Sequence, residues 1–355
     1  MTEQRLLFAQ GHPSRAAYFV NNGMLVVRLP DGPPLSIKDP SHLVGALEHF
    51  LAPQGGEAPT RLFTIEITRD SEVKKIPFPQ VEDLLLEYES GTAANTFLAM
   101  LIEHTNKSYI QIQRNLPQSW KDYEETAKKL TSLVRDLTKA AEKSRIGDLE
   151  RLADEYSSLA TYRQGLVLLR ERALSQFTID SSPSDEFLQK FSTNAFICRE
   201  QESDRALYIL LSGTVGVLVR GKYVAKISKA GEAFGELSLF LRGKRTADLV
   251  AETPTSLYRI TPANLPKFHA SHPKLFLSIA RTLAERVRNN CDKLALLAPL
   301  VGAEGNNPLH QQIEGQLSKA KEELSSLQQK IIALKRLSNI PELTEFIEKA
   351  ALTET

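Results

Sequence analysis

Residues 206–245 constrain the fold of this chain more than any other stretch. Leu207-Tyr208-Ile209-Leu210-Leu211 and Thr214-Val215-Gly216-Val217-Leu218-Val219 are two strand-like runs around a Ser212-Gly213 turn, and Gly221 and Gly231 mark later turns. Short apolar runs punctuated by glycine read as strands in a sheet with close turns. Then come Gly231-Glu232-Ala233-Phe234-Gly235-Glu236-Leu237-Ser238-Leu239 and Arg245-Thr246-Ala247. Gly235 lets backbone approach a ligand closely, because no Cβ stands in the way. Glu236 offers an acceptor suited to a sugar hydroxyl. Leu237 and Ser238 open a short helical turn whose free N–H groups face an anion. Arg245 supplies a planar fork that matches phosphate geometry. Together these groups ask for a ligand with one phosphate beside one sugar hydroxyl.

With those residues in register, residues 187–290 resemble the cyclic-nucleotide-binding domain of protein kinase A regulatory subunits, nucleotide-gated channels and catabolite-activator transcription factors. The family cassette F-G-E-x-[AS]-L is matched by Phe234 to Leu239, and its R-[AST]-A by Arg245 to Ala247. The resemblance implies Glu236 on the ribose 2′-hydroxyl and Arg245 on the cyclic phosphate, with the Leu237 and Ser238 N–H groups beside it. Thr246 is implied near phosphate and base, which permits cGMP without excluding cAMP. The ligand-binding set is then Phe234, Gly235, Glu236, Leu237, Ser238, Arg245, Thr246 and Ala247. Two departures stand out: Gln201 replaces a usual turn glycine, and Lys244 stands where proline commonly precedes the arginine. The competing reading is a degenerate domain that keeps the fold and binds nothing. Loss of Arg245 is expected to cost about 3–5 kcal/mol of nucleotide binding and to leave the ligand-free melting temperature nearly unchanged.

The first block echoes this pattern. Tyr18-Phe19-Val20 and Met24-Leu25-Val26-Val27-Arg28-Leu29 flank Asn21-Asn22-Gly23, which is hairpin-turn chemistry. Val44-Gly45-Ala46-Leu47-Glu48 falls where Phe234-Gly235-Glu236-Leu237-Ser238 falls, and Arg61 opens a strand as Arg245 does. Ala46 replaces the ribose acceptor, and residues 52–60 form a longer loop with Pro53, Gly55, Gly56 and Pro59. This block therefore reads as an eroded, non-binding or dimerising copy, with one nucleotide expected per chain.

Two helical stretches complete the chain. Trp120, Tyr123, Ala127, Leu130, Val134, Leu137 and Ala141 alternate three- and four-residue spacings, as do Ile313, Leu317, Ala320, Leu324, Leu327, Ile331 and Leu334. Residues 144–147 interrupt the first seam, and Leu149, Leu152, Tyr156, Leu159 and Leu166 suggest a second arm of a hairpin. Spacer helices and a self-associating coiled coil are both compatible with these seams. After the pocket, Leu275, Ile279, Leu283 and Val287 form an apolar stripe that continues to Leu294 and Leu297. Asn339-Ile340-Pro341 ends the last seam, with a short helix expected from Glu342. The expected architecture is α+β: two antiparallel β-barrel (jelly-roll) domains with flanking helices, joined by a helical hairpin and followed by C-terminal helices. The domains are placed at 1–116, 117–178, 179–300 and 301–355.

Composition narrows the function. The 44 Lys and Arg offset 43 Asp and Glu, so no long-range field draws nucleic acid or an anionic membrane. No signal-peptide core or membrane-length apolar run is present, and Cys198 and Cys291 cannot make a disulfide framework. The chain reads as cytoplasmic. His269 and His272 lack a third metal ligand, and no P-loop, kinase or dinucleotide motif occurs, so neither metal, cofactor nor enzymatic activity is expected. The leading reading is a cAMP or cGMP receptor whose lid helix signals to a protein partner or within a homodimer. The alternatives are a catabolite-activator-like transcription factor, which needs a helix-turn-helix after the pocket, and a structural adaptor whose domains bind no nucleotide.

Overall fold

The computed structural model describes residues 4–29, 32–51, 58–170, 175–176, 186–301 and 306–335. Part of the loop at 52–60, the 302–305 end of the loop before the last seam, and the Pro341 break with its following helix lie outside the described residues. The fold is mixed α+β with antiparallel sheets, and its contacts form two units. One is Met1–Lys107 with Arg172–Asn290, and the other is Ser108–Glu171 with Cys291–Thr355.

The first unit contains two β-rich halves. The earlier half runs β1 (Gln4–Phe8), β2 (Ala16–Asn21), β3 (Met24–Arg28), β4 (Leu35–Lys38), β5 (Ser41–Val44), α1 (Leu47–Leu51), β6 (Thr64–Thr68) and β7 (Glu72–Pro77). Helices α2 (Val81–Leu85) and α3 (Tyr88–Arg114) follow. The β2–β3 turn places Asn22 at φ 61° and Gly23 at φ 69°, the paired left-handed geometry that Asn-Gly favours. After α4 (Gln118–Ser144), α5 (Gly147–Ser157) and α6 (Ala160–Leu168), the chain builds the later half. It runs β8 (Ser175–Gln176), β9 (Leu188–Phe191), β10 (Phe196–Cys198), β11 (Leu207–Ser212), β12 (Val215–Val219), β13 (Lys222–Ile227), β14 (Glu232–Phe234) and α7 (Glu236–Leu241). It closes with β15 (Asp248–Ala251), β16 (Thr255–Ile260), α8 (Leu265–Ser271) and α9 (Leu275–Val301).

The two halves share one topology. The order β1-β6-β3-β4 in the earlier half reappears as β10-β15-β12-β13, and β5-β2-β7 reappears as β14-β11-β16. Register repeats as well, since Tyr18 pairs with Val44 as Tyr208 pairs with Phe234. The sheets are not the closed barrels expected from the sequence. Each half holds two open sheets, because β1 and β4, or β10 and β13, remain outer edges and the ladder never returns to its first strand. In the later half, inward residues of both sheets, including Tyr208, Leu210, Val215, Ile227, Phe234 and Leu257, form one buried cluster. The thiol of Cys198 lies in it, and burial pushes that thiol up to about 11, leaving it unreactive. The halves are stitched together by the Asn95 side-chain amide donating to the Phe276 carbonyl at 3.0 Å, Arg281 pairing with Glu82 at 2.7 Å, and Asn290 donating to Thr105 at 2.9 Å.

In the second unit, the seams expected from the sequence are buried. Trp120, Tyr123, Ala127, Leu130, Val134, Leu137 and Ala141 all face inward. Leu130, Val134 and Leu137 share a cluster with Leu327 and Ile331 of α10 (Asn306–Lys335), and Trp120, Tyr123 and Ala127 share another with Ile313, Leu317 and Ala320. The two seams thus pack against each other within one chain. The second arm of the hairpin is two helices rather than one. It breaks at Ser158 and Leu159, where the Ser158 N–H turns back to the Asp154 carbonyl and Leu159 is extended at ψ 146°. Gly165 permits α6 to lie close on α4, since a Cβ there meets the Ala127 carbonyl at 2.5 Å. No helix is long and apolar enough to cross a membrane among the described residues.

Candidate functional site

The site grows from the junction of β14 and α7. Gly235 sits at φ 85°, a left-handed conformation that L side chains resist, and caps α7. A Cβ on Gly235 meets Arg245 Nη1 at 2.5 Å and the Ala206 carbonyl at 2.8 Å, so glycine is required twice over, for φ and for space. Arg245 arrives through the exposed turn after α7. The turn is fixed by reciprocal backbone bonds with 201–202: the Gln201 N–H donates to the Arg245 carbonyl and the Arg245 N–H to the Glu202 carbonyl, at 2.9 and 2.8 Å. Gln201 adopts φ 70°, so it carries the positive φ of the turn glycine it replaces.

Arg245 is 3% exposed, and its Nη2 donates to the Asp204 carboxylate at 2.6 Å and to the Ala206 carbonyl at 2.7 Å. Its guanidinium also lies 4.9 Å from the Tyr208 ring centre. Burial pushes the Asp204 carboxyl up, but hydrogen bonds from Arg245, Tyr208 and Arg259 outweigh it and hold the group below its ordinary value. Arg245 is therefore a structural residue too, which revises the expectation that its loss leaves the ligand-free protein unaffected. One donor stays unused: Arg245 Nε is buried without a hydrogen-bond partner among the described residues.

Glu236 is 3% exposed and forms a buried ion pair with Arg286 of α9. The structure thus brings Gly235, Glu236 and Arg245 to one place. Leu237 and Ser238 occupy the first turn of α7, half-buried and buried respectively. Thr246 is exposed. Phe234 turns inward and stacks on Tyr208 at 5.6 Å, and Ala247 packs against the same core. Sequence reasoning missed Asp204, the Ala206 carbonyl and Arg286. Asp204 carried a faint signal, as an acid just before a buried strand, and Arg286 none.

The earlier half holds the same frame with different occupants. Arg61 donates through Nη2 to the Ala16 carbonyl, and its guanidinium lies 4.0 Å from the Phe8 ring centre and 5.7 Å from that of Tyr18. Gly45, at φ 76°, leaves no room for a Cβ beside Arg61 Nη1. Ala46 is buried where Glu236 stands in the later half. Arg61 Nη1 pairs with Glu48 Oε2 at 3.1 Å, and the Leu62 N–H donates to Glu48 Oε1 at 3.3 Å. Burial lifts the Glu48 carboxyl above its ordinary value by more than Arg61 and the nearby backbone amides lower it. No group of three or more His, Cys, Asp or Glu residues could hold a metal ion among the described residues.

Residues 188–272 match the family model described as the cyclic nucleotide-binding domain. The cyclic nucleotide-gated channel beta-1 of Bos taurus is 33% identical over 102 residues, covering 27% of this chain and 7% of that protein. The potassium/sodium hyperpolarization-activated cyclic nucleotide-gated channel 2 of Mus musculus is 33% identical over 85 residues, covering 24% of this chain and 10% of that protein. The chain therefore spans a tenth or less of the length of these curated relatives. Among solved structures, the regulatory domain of Toxoplasma gondii PKA with cAMP aligns at 16% identity over 78% of this chain and 81% of that one, with a TM-score of 0.22.

Proposed function

We propose, from the match of residues 188–272 to the cyclic nucleotide-binding domain, that the chain binds one molecule of cAMP or cGMP and acts as a regulatory protein without catalysis of its own. In this reading Arg245 takes the cyclic phosphate and Glu236 the ribose 2′-hydroxyl. Leu237 and Ser238 lend backbone N–H groups, Thr246 stands near phosphate and base, and Phe234, Gly235 and Ala247 shape the wall. The observation that supports it best is the Arg245 guanidinium, held by Asp204 and Ala206 while its buried Nε donor has no acceptor among the described residues. A buried donor without a partner costs about 1–3 kcal/mol, which a phosphate oxygen recovers.

Arg286 supplies the route out of the site. It joins α9 to the residue proposed to hold the ribose, so a ligand on Glu236 alters the pair and with it the position of the helix. Occupancy then shifts α9 by the ligand's differential affinity for the two arrangements, typically about 1–3 kcal/mol. Residence in the cytoplasm, and a homodimer or a protein partner that reads the helices, belong to the same proposal. Calorimetric titration of the full chain with cAMP and with cGMP tests it. Saturation at one nucleotide per chain is expected. Absence of binding of either nucleotide near 1 mM, an affinity of about 4 kcal/mol, refutes the reading. Hydrogen exchange tests the transmission: nucleotide is expected to slow exchange in 275–290 as well as 235–246, and protection confined to 235–246 makes the protein a passive binder.

A further inference from the structure

The frame around Arg61 matches the frame around Arg245 at three points: the carbonyl that receives Nη2, the aromatic ring beneath the guanidinium, and the left-handed glycine against Nη1. It differs in where the balancing carboxylate comes from. In the later half Asp204, two residues before Ala206, binds Nη2. The matching position before Ala16 is Ser14, whose buried hydroxyl has no hydrogen-bond partner among the described residues. Among the described residues no hydrogen bond or ion pair joins Arg61 Nη2 to an acid. Its counter-charge comes instead from Glu48 on the Nη1 side, facing Gly45, and both partners are nearly sealed at 3% and 2% side-chain exposure. Glu48 lies three residues after Gly45, as Ser238 lies three after Gly235, so it is anchored where the other half proposes its phosphate. Its two oxygens are divided between the guanidinium and the Leu62 N–H, as those of a bound oxyanion would be.

We propose that the Glu48 carboxylate is a built-in ligand, which holds the earlier half in its occupied arrangement without any nucleotide, and that removing it turns the Arg61 site into a receptor for a small oxyanion such as inorganic phosphate. A buried guanidinium needs an anion beside it, so the vacancy left by Glu48 is selective for charge. With Ala46 in place of a ribose acceptor, the vacancy has nothing to recognise the sugar of a nucleotide. The inference rests on the nucleotide reading of the later half only for the place a phosphate takes.

The test uses the full chain with Arg245→Ala, which silences the later site, so that failure here and failure of the nucleotide reading are distinguishable. Glu48→Ser, which installs the residue found at 238, is titrated with inorganic phosphate against chloride of equal ionic strength, by calorimetry and thermal shift. Expected is one saturable phosphate site per chain, at least about tenfold tighter than in the Glu48 parent, and its loss on adding Arg61→Met. Glu48→Ser protein that folds but shows no preference for phosphate over chloride overturns the proposal. If the variant does not fold in chloride, refolding rescued by phosphate supports the proposal, and equal failure in both salts overturns it. Binding of cAMP about tenfold tighter than phosphate at the vacated site overturns the oxyanion assignment.

Discussion

Replacing Arg245 by alanine separates two roles carried by one side chain. Its Nη2 binds Asp204 and the Ala206 carbonyl, and its guanidinium lies over Tyr208. Breaking a buried ion pair costs about 3–5 kcal/mol when the surviving charge is stranded. Asp204 is not stranded: its side chain is 17% exposed and it keeps Arg259 at 2.5 Å. The ligand-free cost therefore falls to that of a lost charge-assisted hydrogen bond, about 1.5–3 kcal/mol. In a domain of roughly 150–250 residues this lowers the melting temperature by about 3–12 °C. Nucleotide affinity is expected to drop separately by about 3–5 kcal/mol, roughly a hundred- to several-thousand-fold. Scanning calorimetry without ligand reads the first loss, and titration well below the new melting temperature reads the second. Asp204→Asn is the companion variant. It keeps the arginine, so it should reproduce much of the thermal loss with a smaller loss of affinity, and the double variant should show non-additivity of about 0.5–3 kcal/mol. An Arg245→Ala protein that melts like the parent refutes the structural role. One that binds nucleotide like the parent refutes the phosphate role.

Gly235→Ala places a Cβ against Arg245 and the Ala206 carbonyl at a left-handed φ; it should lose about 1–2 kcal/mol from φ alone and weaken nucleotide binding, both read by melting and titration. Gly165→Ala drives α6 into the Ala127 backbone; despite a helix-propensity gain of about 1 kcal/mol it should lower stability by about 1–3 kcal/mol, without changing nucleotide affinity. Burial depresses the His42 imidazole below 6.5, and His269 is depressed in the same way. The unfolded chain takes up protons that the folded one refuses, so this stability is present above about pH 6.5 and is lost as pH falls towards the folded values. Urea unfolding at pH 7.5 and 5.5 should show the loss, and His42→Phe should remove part of the slope.

Much of the site was legible because its signals are local. Gly235 and Glu236 adjoin, and the strand-turn-strand run at 207–219 needs only near neighbours to be recognised. The echo of Gly45 and Arg61 could be read for the same reason, and the structure places them against each other. What escaped depends on distant pairing. Asp204 reaches Arg245 across 41 positions and Arg286 reaches Glu236 across 50, and beyond the faint hint of an acid ahead of β11 nothing local marks either as a partner. The seams of α4 and α10 announced an apolar face but not what covers it; that each covers the other follows only from the folded chain. The break at Ser158-Leu159 contains neither proline nor glycine, so periodicity ran through it. Closure of the sheets failed as an expectation because strand count and spacing do not determine whether the edges meet.

A left-handed glycine and a buried arginine occur in both halves, with the same carbonyl acceptor and the same aromatic support, yet only the later half has a carboxylate at the position after the glycine. The glycine and arginine are thus sufficiently explained by folding: the guanidinium closes the gap between the first strand residue and the cassette turn, and a Cβ on the glycine would collide with it. Their presence alone is weak grounds for a ligand; the part that folding does not use is the buried Nε of Arg245, which has no hydrogen-bond partner among the described residues. Glu236 is different, because burying a carboxylate at that position carries a desolvation cost and it is met by a second buried charge brought from α9. Such a pair adds little to stability compared with two apolar side chains of similar size, so its presence in a core position is not explained by stability alone. The Glu236–Arg286 pair, with Ala46 at the matching position of the earlier half, is therefore the feature of the cassette that most clearly distinguishes the two halves.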